Sequence, residues 1–438
     1  MDKSAILTRL TNGGVHGTNG LQADVEAMAA TYGAGLDRSA EYEILKVAFE
    51  NENLGFSDLF YQTFEGINGR SARLGGVDFI NFCSYDYIGM GNSPEVARAA
   101  IDAIHRYGTS VSASRLVSGE RPIHQQLERT IADWIGTEDA LTFVSGFGTN
   151  ADTIGHLLGP GDALVYDSLI HASVREGLRL SGADARPFPH GDLDALERVL
   201  RRAHGRAKQL LIAVEGVYSM DGDIPDLPRL IDLKRRYGAL LMVDEAHSLG
   251  VLGKTGRGIS EHFGIAAGEV DIWMGTLSKA LASCGGYIAG KRDLVSYLRH
   301  TAPAFVFSVG LAPPLAGAAL RALTLLAEEP ERVETLRQRS ALFHALAKEA
   351  GLDIGSADPR SAIVPIMAGE FLRAAAVARD LLNDGILALP IGFPAVARDA
   401  TRLRFFLSAS HTEEDIRLAI AALTRSLARN RGAAYAVS

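Results

Sequence analysis

The chain has 438 residues, 47% of them hydrophobic and 22% charged, with a formal net charge of −8 at pH 7. These values suit a soluble globular protein large enough for two domains, and the acidic balance excludes nucleic acid as the main partner, because phosphate binding requires a basic face. Two cysteines, Cys83 and Cys284, exclude a disulfide framework and point to a reducing cytoplasm; the opening MDKSAILTRLTNGG lacks a secretory apolar core, and no run is long and apolar enough to span a bilayer.

Residues 1–78 read as a loop, TNGGVHGTNG, with two short helices, LQADVEAMAATYGAGL and SAEYEILKVAFENENL. This stretch is either a helical arm that packs on a partner subunit or a mobile leader. From Phe79 to residue 310, short apolar runs alternate with helical stretches. The runs are ALTFVSGF, DALVYDS, QLLIAVEG, ALLMVDEA and VDIWMGT. They are of strand length and do not alternate in polarity, which predicts strands buried on both faces of a mainly parallel sheet. Intervening segments such as PIHQQLERTIADWIG and DLPRLIDLKRRYG predict crossover helices, hence an α/β fold. Residues 311–438 predict a smaller α+β unit, with strand candidates SAIVPIMAG and RLRFFLSAS and a closing helix from TEEDI.

Ligands of parallel sheets gather at the carboxyl ends of the strands. After TFV come Ser145, Gly146, Phe147 and Gly148, small residues leading into a helix, which is either a phosphate cradle or an ordinary tight turn. After LVY comes His171, which can stack on a flat ring, shuttle a proton or simply cap a helix. After IAV comes Ser219, a hydroxyl at the same end of the sheet. Asp244 ends LLMV and needs a positive partner such as a protonated ring nitrogen, and His247 follows three residues later. A metal site is the rival reading of these ligand types, although no second cluster has ligand spacing. After IWM come Thr276 and Ser278, two hydroxyls for a phosphate, and Lys279, whose amine forms a Schiff base with a carbonyl when desolvated. Cradle, stacking histidine, carboxylate and amine are together what pyridoxal phosphate requires of a protein.

The motifs NFCSYDYIGMG, SASRLVSGERPIHQQLE, FVSGFGTN, DSLIHAS, EGVYSMDGDIPDL, VDEAHSLGVLGKTGRG, GTLSKALASCGG and RLRFFLSASHTEEDI resemble the α-oxoamine synthases in order and spacing, from about Phe79 to Ala422. These are fold-type I pyridoxal-phosphate enzymes. The resemblance implies a mainly parallel seven-stranded sheet in a large domain and a smaller α+β domain after it. It makes Lys279 the Schiff-base lysine and the acid/base at the substrate α-carbon, and His171 the ring-stacking residue. It pairs Asp244 with the ring nitrogen, sets His247 and Ser219 near the phenolic oxygen, and gives Gly146, Phe147, Thr276 and Ser278 the phosphate. Ser308, in FVFSVGLAPP, reaches the cofactor phosphate of the other subunit, which implies a homodimer with shared sites. Arg404 holds the amino-acid carboxylate, a role suited to a planar guanidinium.

The implied reaction is decarboxylative condensation of glycine, alanine or serine with an acyl thioester, carried by CoA or by an acyl carrier protein. Within the family, Tyr85 and EGVYSMDGDI resemble the serine palmitoyltransferases, whose tyrosine contacts the substrate carboxylate. The stretch Ile391-Gly392-Phe393-Pro394 departs from them where their soluble bacterial members carry a second arginine. The leading expectation is therefore a serine palmitoyltransferase-like enzyme. The alternative is 8-amino-7-oxononanoate synthase or 2-amino-3-ketobutyrate CoA ligase activity. The SRLVSG stretch and HTEEDI argue against an aldolase or aminotransferase, and the retained Lys279, Asp244, His247 and His171 argue against a non-catalytic partner subunit.

Overall fold

The computed structural model describes residues 59–393 and 395–430, together with Tyr42. The two expected N-terminal helices, apart from helical Tyr42, and Pro394 lie outside the described residues. The described chain opens with a hairpin of β1 (Ser71–Leu74) and β2 (Val77–Asn81), turned by Gly75 and Gly76 at φ of 57° and 79°. A two-residue turn with both positions at positive φ matches the twist of paired strands, and glycine reaches it without steric cost.

Helices α1 (Pro94–Tyr107) and α2 (Pro122–Ile135) lead into a seven-stranded sheet. It comprises β3 (Asp139–Phe143), β4 (Ala163–Asp167), β5 (Asp184–Phe188), β6 (Leu210–Glu215), β7 (Leu240–Asp244), β8 (Ile272–Thr276) and β9 (Gly286–Gly290). Their order across the sheet is β3-β9-β8-β7-β6-β4-β5. Six of the seven strands run in one direction and β9 runs against them. The mainly parallel seven-stranded sheet expected of fold type I is therefore present. The five apolar runs become β3, β4, β6, β7 and β8. In β6, Leu210, Ile212 and Val214 enter one core cluster while Leu211 and Ala213 enter the other. Burial on both faces is why those runs show no alternation in sequence.

Two strands of the sheet had no apolar signature. β5 (DARPF) is a largely exposed edge strand, where Pro187 costs no ladder bond. β9 (GYIAG) is hidden inside the glycine-rich stretch after Lys279. The second sheet has β10 (Ile363–Gly369) paired with β13 (Thr401–Phe406), which in turn pairs with a short β12 (Pro390–Ile391). β11 (Ile386–Leu387) instead joins β2 in parallel, so the chain around Phe79 pairs with strands from both ends of the sequence.

Since β4, β6, β7 and β8 run in one direction, their last residues Asp167, Glu215, Asp244 and Thr276 share one edge of the sheet. Helices α3 (Gly146–Leu157) and α4 (Ala172–Ser181) begin at that same edge.

Candidate active site

The edge is organised by a buried carboxylate. Asp244 is 5% exposed; its Oδ1 accepts from the Ala246 N–H at 2.9 Å and its Oδ2 from Asn150 Nδ2 at 2.8 Å. Asn150 lies one helical turn into α3 and also donates to Ser173 Oγ at 2.9 Å, and that hydroxyl is 2.7 Å from His171 Nδ1. A buried carboxylate is tolerated only when donors replace its water, and this network supplies them. It also fixes His171, which caps α4 by accepting from the Ser173 N–H.

Next to this network a backbone cradle forms at the start of α3. Ser145 caps the helix, its Oγ accepting from Gly148 N–H at 3.2 Å. Thr276 Oγ1 donates to the Gly285 carbonyl at 3.0 Å and lies 3.1 Å from Ser278 Oγ. A Cβ on Gly146 would stand 2.8 Å from Thr276 Oγ1, and one on Gly286 would stand 2.8 Å from the Gly146 Cα. Glycine is therefore required at both positions for β8, β9 and the helix start to close together. The result is a helix N-terminus ringed by two hydroxyls, a setting that favours an anion.

Lys279 projects from the loop after β8, with Nζ 2.8 Å from His247 Nε2. His247 Nδ1 is in turn 2.6 Å from the hydroxyl of fully buried Tyr87. Burial lowers the Lys279 ammonium to about 8; Asp244 and Glu215 oppose the shift and Arg404 adds to it. Burial, then the neighbouring cations, hold His247 well below its usual range, so its imidazole is neutral. A neutral ring donates through one nitrogen and accepts through the other, which makes Lys279, His247 and Tyr87 a directional chain. Glu215 sits beside Asp244 in register across β6 and β7. Its Oε2 accepts from the Ser219 N–H at 3.2 Å, and burial followed by the Asp244 charge raises it to about 8.

At the mouth, β13 delivers Arg404. Its Nη1 donates to the Ser219 carbonyl at 2.8 Å, and its guanidinium lies 4.4 Å from the Phe406 ring centroid. Tyr85 packs edge-on against Phe406, with ring centroids 4.8 Å apart, and its ring lies 5.9 Å from Lys279 Nζ. Of the residues nominated from sequence, Gly146, Phe147, His171, Asp244, His247, Thr276 and Lys279 line one cleft. Ser278, Ser219, Arg404 and Tyr85 adjoin it through the contacts above. Ser308 does not line it: it lies between Phe307, 86% exposed, and Val309, 49% exposed. Sequence reasoning did not nominate Tyr87, Asn150, Ser173 or Glu215, although Asn150 and Ser173 follow Gly146 and His171 at helix-start spacings. A larger cavity of about 620 Å3 lies beside β1, but its arginines, Arg70 and Arg73, are already paired with Asp415 and Asp78.

The donor set fits pyridoxal phosphate. The helix start with its hydroxyls suits the phosphate, Asp244 a ring nitrogen and Lys279 an aldehyde. Asn150 Oδ1 and Glu215 Oε1 are buried polar atoms with no hydrogen-bond partner among the described residues, as expected where a polar group binds.

Comparison with known proteins shows the family. The family model for aminotransferase class I and II matches residues 77–423. An 8-amino-7-oxononanoate synthase of Geobacter sulfurreducens is 43% identical over 368 residues, covering 83% of this chain and 93% of the relative. One of Symbiobacterium thermophilum is 40% identical over 350 residues, covering 80% of this chain and 88% of the relative. Among solved structures, Sphingomonas wittichii serine palmitoyltransferase superposes with a TM-score of 0.85 at 27% identity, covering 91% of this chain and 99% of that one. The 8-amino-7-oxononanoate synthase from Francisella tularensis does so with a TM-score of 0.70 at 27% identity, covering 81% of this chain and 99% of that one.

Proposed function

The chain belongs to the α-oxoamine synthases of the class I and II aminotransferase family, and from that premise we propose that it condenses L-alanine with a seven-carbon dicarboxylic acyl thioester to form 8-amino-7-oxononanoate. The enzyme is a pyridoxal-phosphate-dependent C-acyltransferase. The observation that carries the substrate reading is the 43% identity to a synthase of that name across 93% of its length. The carbon count follows from the product: alanine without its carboxyl adds two carbons to a seven-carbon acid. The leading expectation from sequence, a serine palmitoyltransferase, has weaker support, because the solved enzymes of that name share the fold at 28% identity or less. Tyr85 beside Lys279 keeps it as the second reading.

Bound pyridoxal phosphate supplies an electron sink for the pair left on the amino-acid α-carbon. The chain does the rest. Gly146, Phe147, Thr276 and Ser278 would hold the phosphate, Asp244 the ring nitrogen, His171 one ring face, and His247 and Ser219 the phenolic oxygen. Arg404 orients the amino-acid carboxylate, and Tyr85 closes over it. Lys279 takes the α-proton. Its depressed pKa leaves a usable fraction of neutral amine near pH 7, and neighbouring His247 accepts a hydrogen bond from it. The α-carbon then displaces the thiol from the thioester carbonyl, the original carboxyl leaves as carbon dioxide, and a proton takes its place.

The site is shared between two subunits in this reading. Leu116 and Val117, 54% and 82% exposed, adjoin Phe307 and Val309 through the Ser114 hydroxyl, which donates to the Val306 carbonyl at 2.6 Å. Such an apolar patch suits a second copy of the chain, with Ser308 at its centre reaching the partner's phosphate. The substrate reading is tested by pairing alanine, glycine and serine with CoA and carrier-protein thioesters of the seven-carbon diacid and of palmitate. Alanine with the diacid donor gives the largest kcat/KM. Turnover of serine with palmitoyl-CoA and none of alanine with the diacid would replace this reading with the second one.

A further inference from the structure

His190, just beyond β5, is outside the cleft yet stands between two carboxylates. Its Nδ1 is 2.9 Å from Asp167 Oδ1 at the end of β4, and its Nε2 is 3.1 Å from Asp223 Oδ2 in the loop after β6. A neutral imidazole donates from only one nitrogen, so satisfying both carboxylates requires the imidazolium. The ring's other neighbour agrees: it meets Tyr218 edge-on, with centroids 4.5 Å apart, and the two carboxylates are the charges that act on it most strongly. Burial opposes the charge, but hydrogen bonds to Asp167 and Asp223 outweigh it and raise His190 to about 10. Asp167 is itself anchored, accepting from the Leu169 and Gly191 N–H groups. Asp223 is less well held: among the described residues its buried Oδ1 has no hydrogen-bond partner, and His190 is the group that holds its Oδ2.

The loop that Asp223 closes is the seat of β13. The Asp223 carbonyl accepts from Tyr218 N–H at 3.1 Å, and the Tyr218 carbonyl accepts from Gly222 N–H at 2.8 Å, which makes residues 218–223 one tight turn. From this turn the Ser219 carbonyl accepts from Arg404 Nη1, while the Met220 carbonyl at 3.0 Å and Asp221 Oδ1 at 2.6 Å accept from Arg402 Nη1. Both arginines of β13 are therefore registered on the turn, and the turn is registered on the large sheet through His190.

We propose that His190 is a positioning residue which, by bridging Asp167 and Asp223, sets the 218–223 turn and through it the guanidinium of Arg404, and so governs affinity for the amino-acid carboxylate. The proposal rests on the reading of Arg404 as the carboxylate-binding residue. The test uses cofactor-loaded enzyme, with the Kd for L-alanine read from the change in cofactor absorbance and steady-state constants measured in parallel. H190A and D223A each raise that Kd about tenfold, the double variant raises it no further than either single one, and kcat and the thioester KM stay within about twofold. D223A carries the test alone if H190A does not fold. An unchanged Kd in the folded variants, additive effects in the double variant, or a joint loss of kcat and thioester affinity overturns the proposal. R404Q separates the two claims. If R404Q raises the Kd and the clasp variants do not, only the role of His190 falls. If R404Q leaves the Kd unchanged, the carboxylate reading of Arg404 falls, and the proposal built on it falls too.

Discussion

Lys279 draws its chemistry from what surrounds it. Buried beside neutral His247, its ammonium is lowered to about 8, and only the deprotonated amine attacks an aldehyde. The sign follows directly: the reactive form accumulates as pH rises through that value. The rate at which cofactor-free protein takes up pyridoxal phosphate, followed by absorbance, therefore climbs with pH and levels off above about 8. A rate still climbing near pH 10, about where an ordinary lysine titrates, contradicts this account. Gly146, Phe147, His171, Asp244, His247, Thr276 and Lys279, which line the cleft, were legible because each stands at or just past a strand end of the large sheet, whereas Arg404, inside β13, was legible only through the family resemblance. Their supports were less so. Tyr87 gains its place only when the strand-end loops fold over His247, and Glu215 owes its raised pKa first to burial in the folded sheet and then to Asp244 one strand away. Both relationships lie between elements, and no spacing along the chain encodes them.

At the scale of elements, the site depends on how closely β9, β8 and the start of α3 approach. A Cβ on Gly286 would press on Thr149 Oγ1, which donates to the Ser145 carbonyl, and on the Gly146 backbone. Overpacking of this kind costs about 1–3 kcal/mol. G286A is expected to lower stability to chemical denaturation by that amount and to weaken pyridoxal-phosphate binding. G268A, where a Cβ meets nothing within 4 Å, serves as the control and changes neither. Equal behaviour of the two variants contradicts the close-packing account. The same elements show where sequence reading ended. Strands buried on both faces announce themselves as apolar runs. Edge strand β5 has a mostly exposed, polar surface, and β9 carries glycines selected for thinness rather than for strand propensity.

At the scale of the molecule, the parallel sheet gathers its strand ends at one edge, and β13 supplies Arg404 from a separate sheet. This architecture was legible because the α/β alternation and the family resemblance spanned most of the chain. The junction of β2 with β11 was not, because two-residue strands leave no periodic trace. A shared site makes a prediction that belongs to the assembly alone. Subunits carrying K279A and subunits carrying S308E are each impaired, but a hybrid pair contains one intact site. Equal mixing after subunit exchange therefore restores about a quarter of wild-type activity by random pairing; no restoration argues for independent sites. The central claim is carbon–carbon bond formation by decarboxylative condensation. Its most direct measurement is the stoichiometry of one reaction: purified enzyme, pyridoxal phosphate, L-alanine labelled in its carboxyl carbon and the seven-carbon diacid thioester. The account predicts equal amounts of labelled carbon dioxide, free thiol and an amino ketone of the expected mass, all lost in K279A. Label retained in the organic product, or thiol released without carbon dioxide, would contradict it.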